Sequence, residues 1–126
     1  VSEHEAIQAL EALYAELPAI ECKGECAHSC KEIVVSHLEL RRIVKRRRVR
    51  MRAREMAPVI RIEGDPCPYL RHGRCTVYEA RPMLCRLWGL TEEMVCPHGC
   101  EPERQLTQEE FVSFMRRAKE LDDRSD

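Results

Sequence analysis

The sequence is poor in aromatic residues, with only Tyr14, Tyr69, Tyr78, Trp88, Phe111 and Phe114 among 126. Aromatic side chains bury the most area each, so the core they leave is thin. No apolar run approaches the roughly 20 residues that a membrane-spanning helix needs, so no spanning segment is expected. The opening residues, Val1 to Ala6, show no basic stretch followed by an apolar run. A secretory leader is therefore not expected, and the expected location is the cytoplasm. The phosphate-binding, dinucleotide-binding, HExxH and GxSxG patterns are all missing. The residues offer no nucleophile–base pair, which leans against an enzyme without deciding the matter.

Cysteine is what the chain has instead. Eight of them stand at Cys22, Cys26, Cys30, Cys67, Cys75, Cys85, Cys96 and Cys100. A small domain with a thin core needs staples, either disulfides or metal. In a reducing compartment the same cysteines read as metal-binding or catalytic, whereas disulfides fit a processed secretory chain. Tetrathiolate sites for zinc or iron–sulfur clusters need four converging sulfurs, so two such sites would take all eight. Turn formers flank several of the cysteines: Gly24, Pro66, Pro68, Gly73, Pro97 and Gly99. Turns let backbone amides face coordinated sulfur and tune its charge. No CxxC knuckle occurs, so spacing alone does not name the metal. Of the histidines, His28 and His98 beside cysteines are the candidate extra ligands. His4 and His37 read as surface or helix residues.

The net charge of −1 conceals a segregation. Residues 41 to 54 carry Arg41, Arg42, Lys45, Arg46, Arg47, Arg48, Arg50, Arg52 and Arg54 and no acid; the remaining residues sum to −10 against this +9. Arginine forks suit phosphate, so nucleic acid or an acidic protein is a candidate partner through this block. No aromatic residue interleaves with it, so base stacking is not expected. A solvated basic face, or one paired with the chain's own acids, is the plainer alternative. Oligomeric state is not legible.

Local patterns give the architecture. Ser2 to Leu17 reads as an amphipathic helix opened by a Ser2–Glu5 capping box and stopped by Pro18. His37 to Lys45 reads as a helix with Leu40, Ile43 and Val44 on one side. Residues 45 to 56 fit helix or strand equally. Ile33 to Ser36, Val59 to Ile62 and Arg74 to Tyr78 look strand-like. Met83 to Trp88 forms a short helix after Pro82, and Thr107 with Glu110 opens a helix through Leu121 whose inner side holds Phe111, Phe114, Met115, Ala118 and Leu121. The expected fold is a single, small, irregular α+β domain over 1–126, metal-stapled, with terminal helices about 2–17 and 107–121 around a cysteine-rich middle of short strands and loops.

The stretch CPYLRHGRCTVYEARPMLCRLWG, Cys67 to Gly89, resembles the signature of the YkgJ-like proteins, the CxxCxxCC cysteine-cluster family described as zinc- or iron-chelating domains. Cys67, Leu70, Gly73, Cys75, Tyr78, Arg81, Pro82, Cys85 and Arg86 carry the resemblance, and ECKGECAHSC, Glu21 to Cys30, looks like its first half. Together they cover about residues 20 to 100. The resemblance implies metal chelation and implies little about activity. This chain departs from the family pattern in two ways: Ser29 stands where a cysteine would precede Cys30, and the first intervals are CxxxCxxxC. Cys96, Cys100, His28 or His98 would then complete the ligand set. CxxxCxxxC also sits one residue from the radical-SAM motif, but the chain is too short for the barrel of those enzymes.

Four thiolates on a divalent zinc, or on an oxidised cluster, leave a charge of about −2 whose burial needs compensation. Arg74, Arg81 and Arg86 beside Cys75 and Cys85 are placed to supply it. The irregular intervals and the Cys-Pro pairs at 67 and 96 tilt the expectation towards iron–sulfur over zinc, in one or two sites. The expected role is structural, electron-transferring or redox-sensing. The alternative is a nucleic-acid-binding module using Arg41 to Arg54 on a metal-stabilised scaffold.

Overall fold

The computed structural model describes residues 1–21, 35–46, 67, 69–72, 74–96 and 99–125. Among them, four helices and one two-stranded sheet make a mixed α+β architecture: α1 (Glu3–Ala15), α2 (His37–Arg46), β1 (Leu70–Arg71), β2 (Arg74–Cys75), α3 (Met83–Leu87) and α4 (Gln108–Arg124). Single 3-10 turns follow β2 and α3, at Tyr78–Ala80 and Glu92–Met94. No helix among the described residues is long and apolar enough to cross a membrane.

Each long helix starts where a hydroxyl residue meets its orphan amides. Ser2 Oγ accepts the Glu5 N–H at 3.2 Å and donates to Glu5 Oε1 at 3.1 Å. Thr107 makes the full reciprocal box with Glu110, 3.1 Å one way and 3.0 Å the other. Such caps satisfy donors that the helix itself leaves bare. Helix α1 ends at Ala15, two residues short of the expected limit, and its last turn closes through the Glu16 and Leu17 amides. Helix α4 runs past the expected Leu121 to Arg124.

Two apolar cores result. The larger is built by α1 (Ala6, Leu10, Leu13, Tyr14), α3 with its flank (Met83, Leu87, Leu90) and α4 (Phe114, Ala118), with Leu38 and Leu106. The smaller holds Val35, Leu40, Ile43, Tyr69, Val77 and Ala80, with Cys67 and Cys75 packed against it. Helix α2 therefore serves both: Leu38 faces the helical core, and Leu40 and Ile43 face the hairpin. The expected stripe included Val44, which is instead exposed; Leu38 takes the inward place. Three of the six aromatic rings, Tyr14, Tyr69 and Phe114, are buried, while Tyr78 and Trp88 are exposed.

The hairpin is shorter than the pattern of residues 74 to 78 suggests. β1 and β2 pair antiparallel in the register Leu70–Cys75 and Arg71–Arg74. His72 sits in the turn at φ 52°, the left-handed region that a tight hairpin demands. Beyond Cys75, the Thr76 amide and hydroxyl both donate to the Tyr69 carbonyl, at 3.0 and 2.7 Å. That doubled local bond closes the ladder. The chain then turns into the Tyr78–Ala80 3-10 helix, burying Val77 and Ala80. Val35 is buried and lies in no strand. The expected strand at Val59 to Ile62, and residues 47 to 56 of the helix-or-strand segment, fall outside the described residues; Lys45 and Arg46 are helical.

Candidate metal centre

Five of the eight cysteines lie among the described residues, and turns present them. Cys67 and Cys75 flank the hairpin: the Cys67 carbonyl accepts the Leu70 amide at 3.1 Å, and Cys75 opposes Leu70 across the ladder. Both are half-buried against the smaller core. Cys85 lies in the middle of the five-residue helix α3, also half-buried. Between Cys96 and Cys100, the Gly99 amide donates to the Cys96 carbonyl at 3.3 Å, with Gly99 at φ 82°; both cysteines are among the described residues. They line an open hollow of about 380 Å³, bordered also by Gly89, Pro102 and Arg104.

The chain ahead of the first cysteine stretch is anchored beside this hollow. Ile20 bridges Pro102, and Ala19 exchanges hydrogen bonds with Glu103, its carbonyl accepting at 2.8 Å and its amide donating at 3.1 Å. Gly89, at φ 86°, leaves room for Ile20: a Cβ there would stand 3.1 Å from Ile20 Cδ1 and 3.9 Å from Cys96 Cβ. Cys22, Cys26, Cys30, His28 and His98 lie outside the described residues. Among the described residues no three metal-ligating side chains gather. Thiolates are the donor chemistry of a soft metal.

The arginines expected to offset thiolate charge are placed as follows. Arg74 is exposed at the hairpin. Arg81 stacks on Tyr78, 4.0 Å from the ring centroid, and donates from Nε to the Tyr78 carbonyl at 2.9 Å. Arg86 donates to the carbonyls of Arg81 (2.6 Å) and Glu79 (2.9 Å), and its guanidinium lies 4.0 Å over the Tyr14 ring. Arg81 and Arg86 thus spend donors on backbone oxygens and pin the turn between Cys75 and Cys85.

Reading the residues one by one misses a buried polar seam between the two cores. Glu39, 7% exposed, accepts from the Tyr14 hydroxyl and the Met83 amide, each at 2.5 Å, and from the Ser36 hydroxyl at 3.4 Å. Burial pushes the Glu39 carboxyl up, opposed by these three hydrogen bonds and by the Arg86 charge. Burial also pushes the Tyr14 phenol up, reinforced by the Glu39 charge. Arg86 is lowered by burial, with Tyr14 and Glu39 working against that and Arg81 and Arg42 adding to it. Arg42 also stacks on the ring, 5.1 Å from the Tyr14 centroid. The available signal was Ser36-His-Leu-Glu39, a third capping-box pattern in the sequence. The Glu39 amide does donate to Ser36 Oγ, at 3.1 Å.

Of the nine basic residues in the 41–54 block, the four described all meet acids of α1. Arg41 and Lys45 bind Glu3 at 2.9 and 2.6 Å. Arg42 binds Glu11 at 3.1 Å, and Arg46 binds the same carboxylate oxygen. Helix α2 therefore lies along an acidic edge of α1. Arg47, Arg48, Arg50, Arg52 and Arg54 are outside the described residues.

The comparisons with known proteins agree with the cysteine chemistry. Searches of curated proteins and of solved structures returned no match. The sequence model of one family matches residues 21–117, spanning all eight cysteines, helices α2 and α3 and part of α4. Its description is "Putative zinc- or iron-chelating domain", and the chain belongs to this CxxCxxCC family.

Proposed function

We propose that this chain is a metal-binding protein whose cysteine thiolates hold zinc or an iron–sulfur cluster, in a centre that organises the fold. The observation that carries the reading is the seating of Cys67 and Cys75 beside a hairpin against a core that, among the described residues, holds six buried side chains. So small a core calls for a staple of another kind, and thiols at its edge supply one. Zinc would act there as a closed structural centre; an iron–sulfur cluster would add one-electron chemistry. The Cys-Pro pairs at 67 and 96 favour the cluster.

Anaerobic purification followed by metal analysis and a visible spectrum tests the reading. A brown protein with iron and acid-labile sulfide supports the cluster. A colourless protein with stoichiometric zinc replaces it with a zinc centre. A metal-free chain with its cysteines in disulfides ends both.

A further inference from the structure

Helix α3 has five residues, far below the length at which an isolated helix holds its shape. Its N-cap is Pro82, which brings no side-chain hydrogen bond to the first turn. The cap comes from elsewhere in the fold: the Met83 amide donates to Glu39 Oε2, on α2 and 44 residues away in sequence. Glu39 is held in turn by Tyr14 on α1 and by Ser36 at its own helix start. Arg86, one residue beyond Cys85, closes the other side of the helix by lying over Tyr14. Both flanks of Cys85 are thus tied to one Tyr14–Glu39 pair.

We propose that Glu39, backed by Tyr14, is a positioning residue for Cys85, fixing the direction in which its thiol leaves α3 towards a metal. The inference rests on the metal-binding reading given above. The demand for such a device is geometric. Metal–sulfur distances hold to within about 0.2 Å, and a helix this short cannot set its own rotation. Glu39 acts through the backbone that carries Cys85, by way of the Met83 amide. Partners that orient ligands in this way typically contribute about 10–100-fold in metal affinity.

The test uses the full chain, reduced and anaerobic, titrated with Co(II) as the probe and with chelator competition for affinity. Wild type is compared with Cys85→Ser, Glu39→Ala, Glu39→Gln and Tyr14→Phe. Glu39→Ala is expected to lose about 10–100-fold in Co(II) affinity, and its thiolate-to-cobalt charge-transfer band is expected to weaken as that of Cys85→Ser does. Glu39→Gln keeps an oxygen acceptor for the Met83 amide and is expected to restore both readouts. Should Glu39→Ala fail to fold, Tyr14→Phe carries the test, with a several-fold loss and a weakened band expected. A folded Glu39→Ala with unchanged affinity and band overturns the proposal. So does a loss that glutamine does not restore, because the cap would then not be its cause. A Cys85→Ser variant indistinguishable from wild type overturns the positioning role while leaving metal binding standing. A wild type that takes up no Co(II) overturns the metal reading itself.

Discussion

Helices α2 and α4 begin with the same kind of tetrapeptide, Ser36-His-Leu-Glu39 and Thr107-Gln-Glu-Glu110, yet their glutamates meet opposite fates. Glu110 stays at the surface, turned back on the Thr107 amide and gripped by Arg104 through both carboxylate oxygens, at 3.0 and 2.9 Å. The Thr107 amide and the Arg104 charge hold its carboxyl below the usual glutamate value. Glu39 turns inward and gathers donors from α1 and α3, and burial pushes its carboxyl the other way. The difference lies in what packs over the helix start. Around α2 two cores meet, and Tyr14 and Met83 offer donors with no water to satisfy them. A capping glutamate is thus a local device whose use the tertiary structure decides.

The comparison breaks most visibly at Glu39. Glu39→Ala strands the Tyr14 hydroxyl and the Met83 amide in a dry seam and is expected to cost about 3 kcal/mol in urea unfolding, while Glu110→Ala moves the midpoint little. Equal effects would mean that the two glutamates do the same work. Tyr14→Phe keeps the ring against Arg42 and Arg86 but removes one donor, and about 1–2 kcal/mol is expected. An unchanged thermal midpoint would place the seam's value in packing alone. Thr107→Ala removes the cap of α4 for about 1 kcal/mol. Ser36→Ala is expected to exceed it, because the Ser36 hydroxyl also reaches Glu39.

The subtlest effect is one of sign. Raised by burial above its unfolded value, the Glu39 carboxyl binds its proton more tightly in the native chain than in the unfolded one. Its contribution to stability is therefore greatest in acid and declines as pH rises above the ordinary glutamate value of about 4.3. Glu110, lowered, contributes fully above that value and loses its contribution as pH falls through its depressed value. Stability differences between wild type and Glu39→Gln, and between wild type and Glu110→Gln, should therefore slope in opposite directions across the acid range. Parallel slopes would contradict the assignment.

Helices α1 and α4 were legible where apolar spacing and a hydroxyl cap coincided, and α2 was legible from its apolar spacing alone. What the sequence hid depends on residues far apart in the chain. Glu39 and Arg42 look like ordinary polar positions of an amphipathic helix, and Tyr14, Met83 and Glu11, distant in sequence, help make their burial tolerable. The stretch Arg74 to Tyr78 alternates like a strand, but Thr76 prefers the Tyr69 carbonyl to a further ladder bond. The metal chemistry showed in residue type, since thiols on glycine and proline turns have few other uses. How those thiols are shared between centres did not show, because convergence of sulfurs is a property of the folded chain. In the basic block, nine like charges suggested an outward surface, and the four described cations turn to Glu3 and Glu11. The pairs of Arg41, Lys45 and Arg46, part-exposed, contribute about 0–1 kcal/mol each; they set the alignment of α1 and α2 more than their stability.

The far end of α4 reaches back to the start of α2. The Leu38 amide donates to Asp122 Oδ1 at 2.8 Å, and Arg41 donates to Ser125 Oγ at 2.9 Å, each across 84 residues of sequence. On a ribosome adding roughly 5–20 residues per second, several seconds separate the two partners. Cys67, Cys75, Cys85, Cys96 and Cys100 are made within that interval and Cys22, Cys26 and Cys30 before it, all ahead of Phe114 and Ala118, which complete the larger core. A metal taken up by the nascent chain would be held by thiols on a half-built scaffold, and one taken up afterwards would meet a closed one. The position of Asp122 thus divides the scaffold into two states, before and after α4 docks on α2.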